Sequence, residues 1–165
     1  MANHLVALYK HNLWANLQML DTCEKLSDEQ LDATFPGTYG CIRDTLLHLF
    51  GAEERYVDRL TGRPRGPHRE REGFKSFDEL RARGTDSGET LISLVKQNEL
   101  PEVLSGTAPD GRASEVDADV LVLQVINHAT EHRAHINTLL TQFGVEPLEL
   151  DGWAYGEAHG MIRLG

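Results

Sequence analysis

The densest group of chemically capable side chains in this sequence is Asn127-His128-Ala-Thr-Glu131-His132-Arg133-Ala-His135, which places three of the chain's eight histidines close together. Neutral imidazole ligates zinc, copper, iron and nickel, so clustered histidines first raise the question of a metal. On an α-helix, residues four apart lie one turn above each other. His128 and His132 would therefore project from one face and could hold a single ion between them. His135 shares that face and could be a further ligand or an outer partner of one. A third ligand must come from another element, and His48 is the best candidate. It interrupts the apolar run Leu46-Leu47-His48-Leu49-Phe50, and a polar ring flanked by large apolar residues needs a partner. Three histidines leave coordination positions open for water or substrate. The blander alternative for each ring alone is a core histidine satisfied by ordinary hydrogen bonds. It loses weight when the pair and His48 are considered together.

The segment His128-Ala-Thr-Glu131-His132 also fits H-x-x-E-H, in which two histidines bind zinc and the glutamate acts as general base. A peptidase of that kind needs an acidic ligand farther on, for which Glu146, Glu149 and Glu157 are the formal candidates. The stretch that remains is short for a substrate cleft, which disfavours this reading. Glu131 and His135 are the candidate catalytic residues, able to orient a ligand or move a proton, with Asn127 beside them. Of the other histidines, His4 and His11 share a face of the first helix and read as exposed, and His68 reads as solvated. His159 sits in a glycine-rich tail whose course the sequence does not fix.

These residues need a scaffold. An apolar stripe from Leu5 through Tyr9, Leu13, Leu17 and Leu20 predicts a first helix from about Asn3, its N-cap, to Lys25. Ser27-Asp-Glu-Gln30 has the form of a capping box opening a short helical turn, which Phe35-Pro36-Gly37 ends. The helix carrying His48 starts near Gly40 or Cys41 and stops at Thr61-Gly62. From Arg63 to Glu72 breakers and arginines replace apolar periodicity, predicting a solvated surface connection. A third long helix runs from the N-cap Ser76 to about Arg83 and resumes near Ser87 toward Leu100, with Gly84 and Gly88 leaving its middle open. Two short strands around Pro109-Asp110-Gly111 follow. The histidine helix spans Val120 to Phe143, with Asp117 and Asp119 suiting the dipole at its start and Gly144 ending it. The tail from Pro147 to Gly165 reads as a wrapped, non-helical segment. The expected fold is an all-α four-helix bundle with a short β-hairpin before the last long helix, in one domain over residues 1–165.

Sixteen Lys and Arg stand against 26 Asp and Glu, a formal net charge of −10. That charge repels phosphate backbones and anionic lipid, which disfavours nucleic acid and membrane surfaces as partners. Cys23 and Cys41 have neither disulfide-framework nor zinc-finger spacing. No leader-like start and no apolar run of about 20 residues is found, so the expectation is a cytoplasmic protein.

Several segments taken together resemble the DinB-like family of damage-inducible proteins. They are Tyr9-Lys-His-Asn-Leu-Trp14-Ala15-Asn16, then Ile42-Arg-Asp-Thr-Leu-Leu-His48-Leu-Phe-Gly-Ala-Glu53, Asn127-His128-Ala-Thr-Glu131-His132-Arg133, and the late Trp153-Ala-Tyr155-Gly-Glu157. The resemblance implies a four-helix bundle, commonly dimeric, whose divalent metal is held by three histidines corresponding to His48, His128 and His132. It also implies kinship with metal-dependent transferases that use low-molecular-weight thiols such as bacillithiol, mycothiol or glutathione, and with a thiol-dependent maleylpyruvate isomerase. Family members often continue the second ligand as His-Arg-Gly-Gln, whereas this chain has His132-Arg133-Ala134-His135. The expected function is an enzyme with a zinc, nickel or iron ion, turning a low-molecular-weight thiol on an electrophilic small molecule, in a homodimer. A hydrolase using metal-bound water and a non-catalytic, stress-induced metal-binding module are the competing readings. Direct DNA cleavage is disfavoured by the net charge.

Overall fold

Runs of helix formers closed by well-chosen caps set the architecture. The computed structural model describes residues 4–163 apart from 65, 67, 108 and 109. It places helices at His4–Cys23 (α1), Asp28–Asp32 (α2), Ile42–Thr61 (α3), Phe77–Gln97 (α4), Ala118–Gln142 (α5) and Gly152–Ala158 (α6). A 3-10 turn covers Arg69–Arg71, and β1 (Val103–Thr107) pairs antiparallel with β2 (Ala113–Asp117), with Val103 opposite Asp117. This is an all-α bundle of four long helices with the hairpin leading into α5. Asn3 and Pro109, expected to act as a cap and in a turn, lie outside the described residues. No helix among the described residues is long and apolar enough to cross a membrane.

The caps follow from local chemistry. Ser27 and Gln30 form the reciprocal capping box, each side chain accepting from the other's backbone N–H. Cys41 caps α3 through its sulfur, and Gly62 ends that helix at φ 69°, a left-handed conformation that suits glycine. Asp117 accepts from the Asp119 N–H and opens α5.

Two expectations are corrected. The third long helix does not break: α4 is continuous through Gly84 and Gly88. A Cβ at Gly84 would lie 2.3 Å from Phe50 Cε1, and one at Gly88 would lie 2.7 Å from Leu13 Cδ1. These glycines are contact points, where about 1 kcal/mol of helix propensity is given up so that α4 can approach α3 and α1. The tail is also not wholly irregular. Asp151 accepts from the N–H groups of Trp153 and Ala154 and so starts α6. The tail rests on α1, where His11 Nε2 donates to the Leu150 carbonyl at 2.7 Å and Trp14 packs edge-on to Tyr155.

The core divides along the bundle. One apolar cluster contains Met19, Leu46, Phe50, Leu80, Ile136 and Leu139, and the other contains Tyr9, Val57, Leu60, Leu91, Leu121 and Val125. Between them in sequence on the long helices stand buried polar residues: Asn12 and Asn16 on α1, Glu53 on α3, Ser87 on α4, and His132 and Arg133 on α5.

Candidate metal centre

His48 is carried by α3, whose apolar neighbours Leu46, Leu47, Leu49 and Phe50 are buried and fix the helix against the core. His128 and His132 are carried by α5, anchored by Val125, Ala129 and Ile136. The two helices face each other, and the three rings converge. Ring centroids are 4.4 Å apart for His128 and His132, 4.8 Å for His48 and His132, and 5.0 Å for His48 and His128. His48 Nε2 and His128 Nε2 are 3.0 Å apart. One donor atom from each ring lies within 4.8 Å of the others, so the three could hold a metal ion.

The residues fit such an ion. Nitrogens bound tetrahedrally to one metal at about 2.05 Å lie about 3.4 Å apart, the scale of the His48–His128 separation. His132 Nδ1 is buried with no hydrogen-bond partner among the described residues. Burial, followed by the neighbouring His132 and His48 rings, pulls His128 down to about 4. Burial, followed by His48 and His135, does the same to His132. Both rings are therefore neutral at pH 7, the form that donates a lone pair to a metal.

An outer set of residues orients His48. Its Nδ1–H donates to Glu70 Oε1 at 3.1 Å, and because a carboxylate can only accept, the lone pair is left on the inward Nε2. The Tyr39 hydroxyl lies 2.9 Å from the same Nδ1, and its ring stacks on His48 at 4.2 Å and meets His132 edge-on at 4.9 Å. Glu70 Oε1 also accepts from Arg55 Nη2 at 3.1 Å. Burial alone would raise the Glu70 carboxyl, but the Arg55 bond and charge, with His48, bring it below the usual carboxylate range. An open cleft of about 520 Å³ is lined by Glu70, Asp44, Leu47 and Phe74 and meets the histidine group only through Glu70.

The sequence profile of the DinB family matches residues 1–162. The chain belongs to the DinB family. It is also similar to Protein DinB of Bacillus subtilis (strain 168), with 23% identity over 163 residues, 94% of this chain and 95% of the relative.

In this DinB-family chain the three residues named as ligands come together, and the two named as catalytic lie at their edge. The His135 ring is 5.5 Å from His132, and its Nδ1 is buried without a partner among the described residues. Glu131 is exposed, close enough for its charge to favour protonation of His132. Asn127, Glu146, Glu149 and Glu157 are exposed. His11 is half-buried and engaged with the tail, which corrects its reading as an exposed residue. His159 packs with Tyr155 and Trp14, not with the three histidines. The solvated-loop reading of the arginine-rich connection is corrected at Glu70, which its 3-10 turn carries to His48. No local pattern marks that glutamate. Tyr39 could have been suspected as an aromatic residue in a loop next to Gly40.

Proposed function

We propose that this protein is a divalent-metal-dependent enzyme that activates a low-molecular-weight thiol toward an electrophilic small molecule, with His48, His128 and His132 as the ligands. The observation that carries this reading is the convergence of three imidazole donors from two facing helices. Family membership supports the choice of a thiol as the activated group. When bound, a divalent ion would supply the positive charge that favours the deprotonated, nucleophilic form of a thiol near neutral pH. The chain's own residues do the rest. Glu70 holds His48 in one tautomer and one orientation. Tyr39 stacks its ring on His48 and meets His132 edge-on, covering one side of the pair. His135 is placed to take a proton or hand one on beside His132, with Glu131 at the solvent edge.

Metal analysis of protein purified without a histidine tag tests the ligands. The expected result is one equivalent of metal in the wild type and its loss in His48→Ala and His128→Ala. Undiminished metal in both variants would refute the assignment. Conjugation assays that pair glutathione, bacillithiol or mycothiol with a panel of electrophiles test the reaction. Thiol-dependent turnover is expected; hydrolysis without added thiol would favour activation of water instead. A metal with no exchangeable coordination position would favour the non-catalytic module.

A further inference from the structure

Five buried polar side chains, drawn from all four long helices, meet in the middle of the core. Glu53 Oε1 on α3 accepts from Ser87 Oγ on α4 at 2.5 Å. Glu53 Oε2 accepts from the Asn12 and Asn16 amides on α1 at 3.1 and 3.2 Å. Arg133 Nη1 on α5 donates to the Oδ1 atoms of the same two asparagines at 2.8 and 2.6 Å. Its Nη2 donates to Thr130 Oγ1 at 3.1 Å. Two amides thus stand between the carboxylate and the guanidinium, each donating to the anion and accepting from the cation. No side-chain atom of the five is buried without a partner.

Such a network is a poor adhesive. Removing ions from water costs several kcal/mol each, and well-packed apolar residues of similar volume often stabilise a core as well or better. What the network adds is direction. Apolar helix faces tolerate small rotations and slips, whereas these bonds are all satisfied at only one rotation and one axial register of the helices. The helices it fixes are the two that carry the histidines. Arg133 follows His132 directly on α5, and Glu53 lies five residues beyond His48 on α3. A slip of α5 by one residue would turn its face by about 100° and carry His128 and His132 away from His48. The asparagine pair of α1 spans both helices and holds them at that setting.

We propose that Asn12, Asn16, Glu53, Ser87 and Arg133 form the register lock of the metal centre, positioning residues that index α5 against α3 so that His48, His128 and His132 converge. The inference rests on the reading of those histidines as ligands. Cobalt(II) titration of metal-stripped protein tests it, because the visible absorption of cobalt reports affinity and ligand geometry together. Each variant is measured at a temperature where circular dichroism shows it folded. Glu53→Gln keeps the shape and removes the charge, and Arg133→Met keeps the length and removes the donors. Both should weaken cobalt binding tenfold or more and alter the absorption band. Arg133→Lys, which keeps a cation able to reach the asparagine oxygens, should recover most of the loss. Leu94→Ala, in the apolar cluster that holds Tyr9, should lower the melting temperature while leaving cobalt affinity and spectrum unchanged. Wild-type affinity and spectrum in folded Glu53→Gln and Arg133→Met would overturn the lock. If neither variant folds, Ser87→Ala decides: it removes one bond, and a several-fold weakening is expected, while none would overturn the proposal. Cobalt binding that is absent from the wild type, or retained in His128→Ala, would instead refute the ligand reading and take the lock down with it.

Discussion

Two polar groups meet on α3 and α5, one of them reaching α1 and α4 as well, and they solve opposite problems. The Asn12–Asn16–Glu53–Ser87–Arg133 network is buried, and none of its buried side-chain nitrogens and oxygens lacks a hydrogen-bond partner. The His48–His128–His132 cluster is partly exposed and crowds three imidazole rings together, and one buried ring nitrogen of His132 has no partner among the described residues. Imidazoles in that arrangement cannot all satisfy one another, whereas a cation satisfies all of them. Polarity closed on itself holds helices together; polarity open on one side is able to take a ligand.

The largest effects should come from breaking the closed group. Glu53→Ala would leave the Arg133 cation buried and uncompensated, and such losses cost about 3–5 kcal/mol. His48→Ala in metal-free protein truncates a partly exposed ring and should cost about 1 kcal/mol or less. Urea denaturation of the two variants measures the contrast, and equal costs would erase the distinction. Metal should reverse the ranking of what matters. At a free zinc concentration about 100 times the dissociation constant, wild-type stability should rise by about 2.7 kcal/mol, and His128→Ala should show no rise.

The open group was the more legible of the two in the sequence. His128 and His132 are related by helical spacing alone, and His48 betrays itself by standing in an apolar run. Both signals are local. The caps at Ser27 and Ser76 were legible for the same reason. The closed network was not, although its members lay in plain view, because asparagines on an apolar stripe gain meaning only when a distant carboxylate and guanidinium meet them. Gly84 and Gly88 misled in the same way. Their local effect is to weaken a helix, and their real role depends on Phe50 and Leu13. Glu70 needed the path of a connection without periodicity, and α6 was hidden among glycines.

Acid should separate the groups again. His128 and His132 titrate near 4 in the folded chain and near 6.5 when unfolded. Above pH 6.5 both states hold them neutral, and the rings leave stability unchanged. Between pH 6.5 and 4 the unfolded chain binds protons that these two rings refuse in the native state, so their contribution to metal-free stability must fall as pH falls through this window and level off below it. Glu70, held below the usual carboxylate range, loses its contribution only at still lower pH. Burial raises the Glu53 carboxyl, which acts in the opposite sense in both proteins, so denaturation curves from pH 7 to 4 should lose more stability toward acid in the wild type than in His128→Gln/His132→Gln, and equal losses would place the acid sensitivity elsewhere.

The smallest effects belong to the groups around His48, and their order tells which of them orients the ring. Glu70→Gln keeps an oxygen that can accept from Nδ1–H and removes the charge that Arg55 and His48 both face, so a loss of metal affinity of less than about tenfold is expected, below the 10–100-fold range for deleting such a partner. Tyr39→Phe keeps the stacked ring and removes only a hydroxyl that lies 2.9 Å from Nδ1, and should change affinity by about twofold or less. Competition with a chromophoric chelator resolves both. If Tyr39→Phe proved the costlier of the two, the phenol and not the carboxylate would be fixing the His48 tautomer, and the role given to the 3-10 turn at Arg69–Arg71 would pass to the loop that carries Tyr39.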